Sequence, residues 1–290
     1  MNSLTLETAH STTGSVISVD GTVIGYRQLG SGPKLILVHG GMQASQNFLK
    51  LSEALADTFT VYVVDRRGRG MSGKHGDHYS VAREVEDIQA LVDKTGTRFI
   101  FGLSSGAIVT LQTALMTPAL QKVAVYEPPL PVDEKFVPDS SISRFEQALS
   151  QGNLAGAMSS IIKGIDDSPM RLLPRFILEP ILRMGIADNA KETNSGDIPF
   201  ELLIPTMHYD FILVNEMRGK IDRYKGLQAD LLLMGGTRSR PFLKIALNYL
   251  SGILPHAQRV IFPGVGHLAA DNDGKPQVIA GELKRFFSEL

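Results

Sequence analysis

Residues 99–109, Phe-Ile-Phe-Gly-Leu-Ser-Ser-Gly-Ala-Ile-Val, constrain this chain more than any other stretch. A short apolar run ends in Gly-Leu-Ser-Ser-Gly and passes at once into a small-residue, helix-compatible stretch. That is Gly-x-Ser-x-Gly in strand–turn–helix context, and the context carries more than the five letters. A serine on so sharp a turn is held in a strained backbone, its hydroxyl exposed at the top of a sheet. One register fits. Ser104 has Gly102 and Gly106 two residues either side, whereas Ser105 has Leu103 and Ala107. The competing reading is an ordinary serine capping a helix N-terminus.

The flanking sequence alternates strand and helix patterns. Residues 1–12 are polar and read as loosely ordered. Val16–Val19 and Thr22–Tyr26 flank Asp20-Gly21, a hairpin pattern. Apolar strands are expected at 34–38, 59–64, 99–103, 121–126, 229–234 and 258–262, of the kind buried on both faces of a parallel sheet. Helices are expected at about 46–56, 80–94, 105–116, 241–250 and 276–288. Between Leu130 and Gly226 no buried strand is evident. Helix-like pieces at about 140–150, 153–165, 170–184 and 207–219 are broken by Pro, Gly and Asn. Such alternation implies a mainly parallel sheet with helices on both faces and ligands at the C-terminal strand ends. Segment 130–226 leaves after one strand and returns before the next, so it is expected to form a helical lid over that edge. Segments 1–129 and 227–290 form the core.

Composition narrows the function. The chain has 290 residues, a formal net charge of −1 and no cysteine. Near-neutral charge offers nothing to nucleic acid or an acidic membrane. Disulfides, thiol catalysis and a cysteine-based zinc site are excluded. No apolar run is long enough to span a membrane, and the first residues lack a secretory signal pattern, so a cytoplasmic location is expected. Neither a metal-ligand motif nor a phosphate-binding glycine loop is present, so no metal and no cofactor is expected.

Four motifs, in order, carry a family likeness: His39-Gly40-Gly41-Met42 after the third strand, Asp65-x-x-Gly68-x-Gly70-x-Ser72 after the fourth, Gly102-x-Ser104-x-Gly106 after the fifth, and Gly264-x-Gly266-His267 after the last. In this order the chain resembles the α/β-hydrolase fold, an eight-stranded, mainly parallel sheet with an inserted helical lid. The resemblance implies a serine nucleophile, Ser104, with His267 as its base. It implies an oxyanion hole built from the backbone N–H of Ser105 and that of Gly41, with Met42 as the nearby alternative.

The third member of the implied triad is the less expected part. The family usually places an acid after the strand before the last. Here that loop reads Gly235-Gly236-Thr237-Arg238-Ser239-Arg240, without a carboxylate. Asp230 lies at the wrong end of its strand, and Asp271 and Asp273 follow the histidine. A minority of the family places the acid one strand earlier, which is Glu127 in Tyr126-Glu127-Pro128-Pro129. That slot is similar to the one in zearalenone-type lactonases. The dehalogenase alternative fails, because those enzymes need an aspartate where Ser104 stands.

Other candidates carry less. His39 is expected to be structural, His75 and His78 to lie in a polar loop, and His208 in the lid. Arg66, Arg67 and Arg69 read as solvated loop charges pairing with local acids. The lid is rich in Leu, Ile, Met and Phe, which points to an apolar, moderately bulky ester or lactone as the small-molecule partner. A carbon–carbon bond hydrolase, a hydrolase-fold receptor with little turnover and a protein-interaction module are the alternatives. The oligomeric state is open, with a homodimer compatible.

Overall fold

The computed structural model describes residues 11–132, 139–165 and 169–289. Eight strands form one sheet: β1 (Thr12–Ile17), β2 (Val23–Leu29), β3 (Lys34–Val38), β4 (Thr60–Val64), β5 (Phe99–Leu103), β6 (Lys122–Tyr126), β7 (Asp230–Gly236) and β8 (Gln258–Phe262). Their spatial order is β1-β2-β4-β3-β5-β6-β7-β8. β2 pairs antiparallel with β1 and β4, and every other pair is parallel. The α-helices among the described residues are α1 (Leu49–Leu55), α2 (Val81–Thr95), α3 (Ser105–Met116), α4 (Asp139–Ser150), α5 (Leu154–Gly164), α6 (Arg175–Glu192), α7 (Phe200–Leu203), α8 (Met207–Glu216), α9 (Pro241–Ile253) and α10 (Pro276–Ser288).

The continuous apolar strands are explained by two covered faces. Ile36, Val38, Ile100, Val123 and Leu231 meet α2, α3 and α9 on one face. Leu35, Leu37, Phe101, Ala124 and Leu232 meet α1 and α10 on the other. Period-two alternation thus sends neighbouring residues into different layers. The register then places the site. Val38 pairs with Gly102, Leu103 with Tyr126, and Tyr126 with Met234. The residues that follow these strands therefore emerge side by side at one rim of the sheet.

Helices α4 to α8 lie between β6 and β7 in the chain. They build a separate apolar cluster around Phe145, Ala157, Ile161, Ile186, Ile204 and Phe211, with Met42 and Met207 packed against it. Two boundaries differ from expectation. β1 begins at Thr12, within the stretch read as loosely ordered; residues 1–10 lie outside the described residues. The helix expected over 170–184 is a 3₁₀ turn, Pro169–Leu172, followed by α6, which runs on to Glu192. Gly185 does not stop it, because Ile186 is buried in the cluster and tertiary packing overrides local propensity.

Candidate active site

Glycine makes the Ser104 turn possible. A Cβ on Gly106 would lie 2.3 Å from the His39 carbonyl oxygen, and one on Gly102 would lie 2.3 Å from Thr110 Oγ1. The strand and helix therefore approach more closely than any larger residue permits. Ser104 takes φ 55° and ψ −125°, and its hydroxyl makes no helix-cap hydrogen bond. Its N–H donates to the Tyr126 carbonyl at 2.9 Å. The side chain instead meets His267, with Oγ 3.0 Å from Nε2.

His267 lies in the loop after β8. Tyr126 Oη donates to the Gly266 carbonyl at 2.8 Å and ties this loop to β6. On the far side of the ring, Nδ1 is 2.8 Å from Glu127 Oε2. With its proton on Nδ1, the ring donates to Glu127, and Nε2 accepts from the serine hydroxyl. The other Glu127 oxygen, Oε1, accepts from the Gly236 N–H at 2.6 Å. The last residue of β7, just before a loop that lacks a carboxylate, thus supplies a donor that orients one. Ser104, His267 and Glu127 are brought into one hydrogen-bonded chain. Asp230 is exposed at the start of β7, and Asp271 and Asp273 bond elsewhere.

Among the described residues, the non-glycine residues with positive φ are Met42 (54°), Ser104 (55°) and Glu127 (46°). All three stand at this rim. Left-handed backbone at such residues costs roughly 1–3 kcal/mol each and persists only where its surroundings impose it. Gly41, Met42 and Ser105 lie beside Ser104, and among the described residues none of their N–H groups donates to a protein acceptor. Ser105 opens α3, where free N–H groups and the helix dipole favour negative charge.

The three arginines are not solvated: Arg66, Arg67 and Arg69 are each 1% exposed. The expectation of local acid pairing holds only in part, since the acids come from other elements. Arg66 donates through Nη2 and Nε to the two oxygens of Glu84 in α2, at 2.8 and 3.0 Å. Its Nη1 reaches Asp210 Oδ1 in α8 at 2.9 Å and Ser105 Oγ at 3.0 Å. Arg69 Nη2 donates to Asp210 Oδ2 at 2.7 Å. Arg67 holds Asp87 at 2.6 Å and Asp20 at 2.9 Å. Burial alone raises the Asp210 pKa, but the charges of Arg69 and Arg66 outweigh it and hold the carboxyl below its ordinary value. Burial likewise raises Glu84, and Arg66 then draws it below its ordinary value.

A further link was not legible in the sequence. Gln43 Oε1 accepts from the Gly40 N–H at 2.8 Å, and Gln43 Nε2 donates to Asp271 Oδ2 at 2.5 Å. This side chain joins the loop after β3 to the loop that carries His267. No periodicity or motif marks such a pair, because its members are 228 positions apart.

The remaining histidines do not join Ser104. His39 is buried; its Nδ1 is 2.9 Å from the Gly40 carbonyl and its Nε2 accepts from the Arg66 N–H. Burial, then Arg69 and Arg66, push its pKa well below the ordinary value, so it is neutral. His75, expected in a polar loop, is buried and stacked on Tyr209 with ring centroids 3.4 Å apart. Burial first, and Arg69 second, push its pKa down to about 3. His208 pairs with Glu146 at 2.9 Å, and His78 and His256 are exposed. His10 lies outside the described residues. Among the described residues, no group of three or more His, Cys, Asp or Glu is placed to hold a metal ion. No helix among them is long and apolar enough to cross a membrane.

The sheet order, the strained serine turn and the relay agree with the sequence profile of the alpha/beta hydrolase family, which matches residues 35–282. The chain belongs to the alpha/beta hydrolase family. Its similarity to curated hydrolases is moderate. It is 31% identical over 135 residues to an uncharacterized hydrolase, YraK, of Bacillus subtilis, a match covering 45% of this chain and 49% of that protein. The 2-(acetamidomethylene)succinate hydrolase of Mesorhizobium japonicum is 23% identical over 276 residues, covering 93% of both chains. Among solved structures, an alpha/beta hydrolase from Sphaerobacter thermophilus superposes with a TM-score of 0.75 at 28% identity, over 95% of this chain and 100% of that one.

Proposed function

We propose that this alpha/beta hydrolase cleaves a carboxylic ester or lactone of an apolar small molecule through an acyl-enzyme. The observation that carries the reading is the chain from Ser104 Oγ through His267 to Glu127, at 3.0 and 2.8 Å, with the serine on a strained turn. A neutral hydroxyl is a weak nucleophile and needs a positioned base. Ser104 attacks the carbonyl carbon while His267 Nε2 takes its proton. Glu127 keeps the ring in the required tautomer and stabilises the imidazolium. The N–H of Ser105, with that of Gly41 or Met42, faces the developing oxyanion. His267 then hands its proton to the leaving oxygen. Water, deprotonated by the same ring, releases the acid and regenerates the serine.

Helices α4 to α8 act as the lid, with segment 130–226 as cap and the rest as core. Gly41, Ser104 and His267 face a cavity whose lid side is formed by Met158, Ile161, Ile165 and Met207. This lining supports an apolar substrate. The Mesorhizobium relative is named for a succinate, a dicarboxylate. Among the described residues that line this cavity, no lysine or arginine is present to receive a carboxylate. An uncharged substrate is therefore favoured.

A fluorophosphonate probe tests the reading. Labelling at Ser104 together with turnover of an aryl ester is the expected result. Full esterase activity in Ser104→Ala would overturn it. Labelling without turnover of any ester would point instead to a receptor or to carbon–carbon bond cleavage.

A further inference from the structure

Two cavities open on the same reacting centre. Gly41, Ser104, Ile165, Met207 and His267 form walls of both. The larger, of about 140 Å³, continues between the Met42 loop, Leu268 and the α5 residues Met158 and Ile161. The smaller, of about 40 Å³, continues toward Pro129, Val214, Phe242 and Leu243. Met207 lines both and lies close to the Gly41 backbone: a Cβ on Gly41 would lie 3.1 Å from its sulfur.

Volume converts into substrate shape. A water-sized group needs roughly 10–15 Å³ of such space. The smaller lobe thus holds roughly three non-hydrogen atoms, and the larger roughly ten. Charge adds a second restriction. Among the described residues, the ionisable side chains on the two walls are His267 and Asp210, and both Asp210 oxygens are bonded to buried arginines. The described walls of the two lobes therefore offer no free charge to a charged arm.

Resting on the serine-hydrolase reading above, we propose that the substrate is an uncharged ester with two unequal arms. One arm, of about three non-hydrogen atoms, fills the lobe beside Val214 and Phe242. The other, apolar and longer, runs past Met42 and Met158. Val214 and Phe242 set the length limit. Both are only partly buried, so shortening them opens the lobe, although Val214 also packs against the core beside α3.

The test is a series of 4-nitrophenyl esters from acetate to decanoate on the full chain. The aryl arm has the size of the larger lobe, which leaves the acyl chain to the smaller. The expected kcat/KM holds from acetate to butanoate and falls by about ten-fold or more at hexanoate, the scale of discrimination for a misfitting methylene. Phe242→Ala and Val214→Ala should each move the cut-off to longer chains, while Met158→Ala, in the larger lobe, leaves it in place. A rate that stays level or rises through octanoate overturns the proposal. So does a cut-off that neither variant moves. If Ser104 is not labelled by a fluorophosphonate, the underlying reading falls and takes this one with it. Labelling with a level chain-length profile removes only the unequal arms.

Discussion

Two buried carboxylate networks flank Ser104, and they differ in what balances their charge. In the first, Glu127 faces one ionisable partner, the His267 ring, and one backbone donor, the Gly236 N–H. In the second, Glu84 and Asp210 are saturated by Arg66 and Arg69, two anions against two cations. In the proposed mechanism the first network receives the serine proton on His267. The second has each carboxylate already facing a guanidinium, while Arg69 Nε and Nη1 are buried with no hydrogen-bond partner among the described residues. Its effect is to join the loop after β4, α2 and α8, with Ser105 Oγ held by the same guanidinium. Under the proposed mechanism, the roles of the two networks differ with their counter-charges and not with their distance from Ser104.

This contrast can be broken from either side. The largest effect is expected at the relay. Glu127→Gln keeps an acceptor for Gly236 but presents an amide to Nδ1 and reverses the preferred tautomer. The acylation rate should fall by about 10⁴-fold, with denaturation curves close to the parent's. A near-normal rate would remove Glu127 from the relay. Next in size is Asp210→Asn, which leaves two buried guanidinium groups short of a partner. Stability should fall by about 3–5 kcal/mol, read by chemical denaturation, with a smaller loss in rate than at Glu127. If rate suffered more than stability, the two networks would have to exchange roles.

Gln43→Ala should rank third. It strips the Gly40 N–H and the Asp271 carboxylate of a partner, a cost of about 1–3 kcal/mol. Loosening between the Gly41 loop and the His267 loop should lower kcat by about ten-fold, measured with a saturating aryl ester. The smallest effect concerns pH. His75 is held neutral with its pKa at about 3, below the value near 6.5 it takes when unfolded. The unfolded chain therefore binds the extra proton first. The stability that His75 contributes is present above about pH 6.5 and is lost as pH falls through that window. His75→Phe, which keeps the stack on Tyr209, should reduce the slope of stability against pH between about 6.5 and 5, leaving the part that buried His39 contributes in the same direction. The carboxyls of Glu84 and Asp210, held below their ordinary values, add their own loss only below about pH 4.

Local readings of the chain succeeded where the physics is local. Strand periodicity and the apolar spacing that predicts a helix over about 80–94 are short-range features, and α2 spans Val81–Thr95. The Ser104 turn was legible because only glycine tolerates the approach of α3 to the strand ends. The arginines were misread for the opposite reason. Arg66, Arg67 and Arg69 sit in a loop sequence indistinguishable from a solvated one. Their burial depends on Glu84 and Asp210, which lie 18 and 144 positions away from Arg66. His75 was misread in the same way, since Tyr209 covers it from the helical segment.

By itself, the sequence determined the layered sheet and the serine on its turn, because alternation and glycine content act over a few residues. It also pointed to Glu127 as the proposed acid, because the later loop carries no carboxylate. The tertiary structure alone decided which side chains share a charge and how space around Ser104 is divided. Both depend on groups from distant elements meeting at one rim. Electrostatic compensation and cavity shape are properties of that meeting, and no single stretch of chain contains them.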